Sequence, residues 1–251
     1  GIEMMLAVDV SNSMLAQDFE PSRLERTKFA IDRLTQQLEQ DRIGLIVFAG
    51  DAYMQLPITS DYVAARSFAA QISPTMVSKQ GTAIGAAIDL AASSFSSGSE
   101  GSRVIVVISD GENHEDDALA AAKAAAEKGI RIYTIGIGTP EGAPISIDGE
   151  FIKDEQGDMV VSKLDEQMLE QIALTTGGAY IRATNRSLGL DEIVQKINEV
   201  EKKELTSTVF EDFNEQYQYL IGLALALLLL EFAMLERRSR LLARFNIFRK
   251  R

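Results

Sequence analysis

Asp9-Val10-Ser11-Asn12-Ser13 sets one carboxylate and two hydroxyls at alternate positions directly after an apolar run. Two more oxygen donors stand far along the chain, Thr82 in Gln80-Gly81-Thr82 and Asp110 in Ser109-Asp110-Gly111. Donors of this kind suit a hard cation, Mg2+ or Mn2+, and not zinc, which favours His and Cys. Because hydroxyls bring no charge, a divalent ion held mainly by them stays electropositive and can take an external carboxylate in a vacant octahedral position. Each residue also has a plainer use. Ser11 and Ser13 could cap a following helix, Thr82 could be an N-cap, and Asp110-Gly111 could simply form a turn.

The elements around them favour a shared site. Ile2 to Val8 and Val104 to Ile108 are the two most apolar runs of the first half, each closed by an acid, as expected of buried parallel strands. A parallel sheet would bring Asp9 and Asp110 together at its carboxyl edge, where open α/β sheets bind ligands. Two such carboxylates repel, and a divalent cation between them relieves that. Further strands are expected over 42–50, 51–57, 130–137 and 179–182. Helices are expected over 23–40, 61–72, about 82–94, 116–128, 164–175 and 188–203. The alternation predicts a doubly wound, mostly parallel α/β sheet. Asp148-Gly149 and Gln156-Gly157-Asp158, between short alternating segments, predict a polar β-hairpin insertion at about 145–163. It serves as decoration or as a partner-docking element.

Composition narrows the functions. A formal charge of −12 over 251 residues argues against nucleic-acid binding, which draws its affinity from Lys and Arg. No cysteine is present, so disulfides and thiolate chemistry are excluded. The single histidine, His114, excludes a multi-His metal site. With Glu112, Glu115, Asp116 and Asp117 it reads as a solvated helix start. Gly1 lies directly against a core strand, which leads us to expect that something upstream has been removed.

Residues 217–236 contain the run Leu220 to Leu230, with Tyr217 and Tyr219 before it and a basic tail after it, so a transmembrane helix is expected there. Residues 231–251 carry seven basic and two acidic groups, a net +5, which leaves −17 on residues 1–230. The positive tail predicts a cytoplasmic C-terminus and, in a bacterium, a periplasmic domain on an inner membrane. The expected organisation is a main domain at 1–205, a linker at 206–216, the membrane helix at 217–236 and the tail at 237–251.

Asp9-x-Ser11-x-Ser13, Thr82 and Asp110, in that order on three loops, resemble the metal-ion-dependent adhesion site of the von Willebrand factor A domain. The resemblance implies that Ser11, Ser13 and Thr82 coordinate Mg2+ directly, with Mn2+ as the other candidate. Asp9 and Asp110 would act directly or through water, and a partner's acidic side chain would complete the shell. More narrowly, Ser11 to Asp18, Phe48-Ala49-Gly50-Asp51-Ala52, Asp110 to Glu115 and Pro140 to Pro144 are similar to the bacterial aerotolerance (Bat) family, nearer its BatB branch than BatA. That family implies an envelope stress-tolerance complex with sister Bat proteins and a MoxR-type AAA+ ATPase, and no enzymatic activity. A metal-dependent hydrolase or phosphatase using the same aspartates is the rival expectation, and an adhesin for extracellular ligands is a third.

Overall fold

The computed structural model describes the chain except residues 39, 97–100, 114, 148, 212–216 and 237–251, and side chains at 201–218, 220 and 232–236 are likewise left aside. His114, the basic tail and most of the end of the expected linker therefore lie outside the described residues. Contacts divide the chain into two units, Gly1–Glu199 and Val200–Arg251.

In the first unit, β1 (Glu3–Asp9) leads through a 3-10 turn at Asn12–Leu15 to α1 (Arg23–Thr35), then β2 (Arg42–Phe48) and β3 (Ala52–Thr59). α2 (Tyr62–Ala70) and α3 (Ile84–Ser93) precede β4 (Arg103–Ser109), α4 (Ala118–Glu127) and β5 (Arg131–Gly136). Four two-residue strands follow, β6 (Ala143–Pro144), β7 (Ser146–Ile147), β8 (Glu150–Phe151) and β9 (Val161–Ser162). α5 (Glu166–Thr175), β10 (Tyr180–Arg182) and the first part of α6 (Leu190–Glu211) complete the series, α6 continuing past the end of this unit at Glu199.

The main sheet has the order β10-β5-β4-β1-β2-β3, parallel except for the β2–β3 pair. Every residue of β1 is buried. Its side chains alternate between two cores, as the period of a strand requires. Met4, Leu6 and Val8 join Leu24, Ile31 and Ile193 on one face, while Met5 and Ala7 join Ile84, Ala122 and Leu169 on the other. Helices thus cover both faces, and the apolar residues of β1 and β4 are held at about 1.5–3 kcal/mol per large side chain. Strand order reverses direction between β1 and β4, so the ends of these two strands form the crevice where such sheets bind ligands.

Two expectations change in this unit. α1 ends at Thr35 rather than Gln40, because Gln36 and Gln37 turn back onto Arg33 and Leu34. The insertion starts two residues earlier than expected and is two nested ribbons, β6–β9 and β7–β8. Its base is not a polar surface: Ala143, Ile145 and Ser162 are buried.

In the second unit, α7 spans Tyr217–Glu236 and exposes Ile221, Leu223, Leu225 and Leu227 to Leu230. Crossing a bilayer takes about twenty predominantly apolar residues, and among the described residues no helix is long and apolar enough to do so. The expected transmembrane helix thus finds no support among the described residues. The residues do form a helix, which carries the apolar run Leu220 to Leu230.

Candidate metal centre

Three connections from the carboxyl edge of the sheet converge at the ends of β1 and β4. Val10 N–H donates to Phe48 O at 2.8 Å, Ala83 N–H to Ala49 O at 2.7 Å, and Gly50 N–H to Lys79 O at 2.9 Å. These bonds tie the loop before α3, which carries Thr82, to the strand beside Asp9. Asn12 N–H adds a link to Gln80 Oε1 at 3.1 Å.

Asp9 is wholly buried, and both its oxygens accept from neutral donors: Ser11 N–H at 2.8 Å and Ser109 Oγ at 2.7 Å. Burial, and then the nearby Asp110 charge, push its carboxyl up to about 7, against the lowering effect of Ser109 and Ser11. Burial beside a second acid is what makes this carboxylate costly to ionise. The Ser11 and Ser13 hydroxyls lie 2.8 Å apart.

The plainer uses of these residues do not account for the geometry. Ser11 precedes the 3-10 turn yet its side chain caps nothing. Thr82 is not the cap of α3; Ala83 holds that position, and acceptors come from the loop after β4. Asn113 Oδ1 accepts Ile84 N–H at 3.2 Å, while Asp116 takes Gly85 N–H at 3.0 Å and Ala86 N–H at 2.7 Å. An acid at a helix N-terminus is favoured by the exposed N–H groups there. Thr82 is buried, and its hydroxyl has no hydrogen bond among the described residues.

The acids after Asp110 are therefore more than a solvated helix start. Asp116 caps α3, Asp117 caps α4, Glu115 pairs with Lys79 at 2.7 Å, and Glu112 accepts Lys163 N–H at 2.9 Å. Gly111 needs its φ of +80° here, and a Cβ would meet Asp165 O at 2.4 Å.

The sequence did not disclose Arg23. It is fully buried at the start of α1, with Nε and Nη2 each 2.8 Å from Asp18 and Nη1 3.1 Å from Asp110 Oδ2. Nη1 also donates to Ser162 Oγ at 2.8 Å, Nη2 to Ser162 O at 3.2 Å, and Ser162 Oγ donates in turn to Asp110 Oδ2 at 2.9 Å. Asp18 receives Thr139 N–H as well. Gly138 lets the guanidinium approach, since a Cβ there would lie 3.0 Å from Cζ. One signal could have pointed to this arginine: a cation in the first turn of a helix opposes the helix dipole and calls for acidic partners.

Asp9, Ser11 and Ser13 are thus joined by direct contacts, Asp110 is tied to them through its neighbour Ser109 and through Arg23, and Thr82 stands on the adjoining loop. Their chemistry fits a hard cation: hydroxyl oxygens without charge, beside two carboxylates that repel. Among the described residues no three His, Cys, Asp or Glu side chains assemble into a metal site, so hydroxyls would have to supply much of any shell.

Comparison with known proteins agrees with the architecture. An aerotolerance-related membrane protein from Bacteroides fragilis is 52% identical, with a TM-score of 0.76 over 79% of this chain and 100% of that one. BatB from Bacteroides thetaiotaomicron is 50% identical, with a TM-score of 0.75 over the same shares. An uncharacterised protein of Borreliella burgdorferi is 30% identical over 237 residues, 92% of this chain and 68% of that protein. The von Willebrand factor type A domain pattern matches residues 3–197, and the chain belongs to that family.

Proposed function

We propose that the chain is a non-enzymatic interaction module that grips a partner's carboxylate through a divalent cation. Ser11, Ser13 and Thr82 would hold Mg2+ or Mn2+ directly, and Asp9 and Asp110 directly or through water. The bound ion supplies a Lewis-acidic position for the partner's acid. The residues of this chain orient the donors and bury the two carboxylates. The observation that carries the reading is the pairing of the Ser11 and Ser13 hydroxyls beside two buried acids at the strand-order reversal.

The proposal includes membrane association, with the A domain on the periplasmic side of a bacterial inner membrane and the basic tail in the cytoplasm. The exposed leucines of α7 and the membrane description of the Bacteroides fragilis relative support it. Partners would be other Bat-type proteins and a MoxR-type AAA+ ATPase, a reading supported by the 50% identity to BatB. Affinity capture with the full chain tests the function. Asp9→Ala and Asp110→Ala should each reduce recovery of partners as far as EDTA does. Recovery indifferent to EDTA and to both substitutions would refute it.

A further inference from the structure

Arg23 has no place in the donor set, yet it is wholly buried against one of the donors. Its guanidinium carries five N–H groups. Nε–H and one Nη2 hydrogen go to Asp18, the other Nη2 hydrogen to Ser162 O, and the Nη1 hydrogens to Ser162 Oγ and Asp110 Oδ2, with Ser13 O at 3.4 Å from Nη1. Five elements meet on this one side chain: the loop after β1, the start of α1, the end of β4, the turn at Thr139 through Asp18, and β9 of the insertion.

Asp110 Oδ2 is consequently engaged twice, by the Arg23 guanidinium directly and by Ser162 Oγ. Charge drawn toward Arg23 is charge withheld from anything bound on the other side of the carboxylate. For a site meant to take a foreign carboxylate, that matters. Two fully available aspartates would neutralise a divalent ion, whereas one aspartate offset by an arginine leaves it electron-poor.

We propose that Arg23 is a positioning residue for this site: by holding Asp110 Oδ2, alone and through Ser162, it weakens intrinsic cation binding and strengthens the bound cation's grip on a partner's carboxylate. The proposal rests on the adhesion-site reading. It also gives the insertion a role, since β9 carries the relay residue Ser162. A purely structural ion pair would behave differently, because disrupting it loosens the loops and weakens cation and carboxylate binding together.

The opposite signs make the test. Using the full chain, Mn2+ affinity is measured by electron paramagnetic resonance. Acetate binding to the Mn2+-loaded protein is followed by water-proton relaxation, which falls as coordinated water is displaced. Arg23→Gln should tighten Mn2+ and weaken acetate, each on the order of tenfold, and Arg23→Lys should restore both in part. Should Arg23→Gln fail to fold, Arg23→Gln with Asp18→Asn removes the stranded acid, and Ser162→Ala removes only the relay; both should shift the two affinities in the same opposed directions by less. Loss of both affinities together in the folded variants, or no change in either, overturns the proposal while leaving the adhesion site standing. Wild-type protein that binds no Mn2+ overturns the adhesion site itself, and this inference with it.

Discussion

Asp9 and Asp110 end neighbouring strands, are equally buried, and are held in opposite ways. Asp9 rests on a backbone N–H and a serine hydroxyl, all neutral; Asp110 shares one oxygen between an arginine and a serine. A buried carboxylate with a cation beside it is satisfied by the fold, while one with only neutral donors stays costly to ionise. The Asp110 half is therefore built for stability and the Asp9 half for a ligand.

The largest expected effect tests the first part of that contrast. Arg23→Met should destabilise the protein by about 3–5 kcal/mol, because it strands Asp18 and Asp110 without their counter-charge. Urea unfolding measures this. A loss under about 1 kcal/mol would show that the Asp110 half is no better anchored than the other.

Asp9→Asn should act with the opposite sign. In EDTA at pH 8 the substitution removes a buried charge and its repulsion with Asp110, so the metal-free protein should gain about 1–3 kcal/mol. It should also lose the stabilisation that Mg2+ gives the wild type by binding the folded state. Thermal unfolding with and without Mg2+ checks both. A less stable Asp9→Asn protein would contradict the division into two halves.

A smaller effect is a pH dependence on the Arg23 side. Burial alone would raise the Asp18 carboxyl, but the bonds to Arg23 and its charge outweigh that and hold it below the ordinary 3.8. Below 3.8 the unfolded chain binds a proton that the folded chain refuses, so stability rises with pH there. Asp18 thus contributes fully above 3.8, and its contribution is lost as pH falls through the folded value. Asp18→Asn should flatten this acid limb in urea titrations between about pH 5 and 2; an unchanged slope would remove Asp18 from the account.

The two halves were not equally legible. β1 and β4 announce themselves because a strand buried on both faces is a continuous apolar run, and the acid closing each run marks the sheet edge. The Asp9 half lies within Asp9–Ser13 and so reads as a local motif. The Asp110 half is assembled from afar, with Arg23 reaching 5 residues to Asp18, 87 to Asp110 and 139 to Ser162. No local pattern encodes that. The cap of α3 is out of local reach for the same reason, since its acceptor Asp116 lies 31 residues beyond Gly85.

The smallest stability effect belongs to the hydroxyl pair. Ser13→Ala removes one partner of the 2.8 Å contact with Ser11 Oγ, a neutral hydrogen bond worth about 0.5–1.5 kcal/mol net. Ser13 retains slight exposure, so solvent can reach the edge of the gap and keep the cost near the lower figure. No charge is stranded, and the Arg23 bonds are untouched. Urea unfolding in EDTA should therefore shift by about 1 kcal/mol or less, while Mn2+ affinity falls on the order of tenfold as a direct donor disappears. That separation is what a ligand-facing half implies. A stability loss as large as that of Arg23→Met, with Mn2+ affinity unchanged, would make the serine pair part of the scaffold and return the hydroxyls to an ordinary turn.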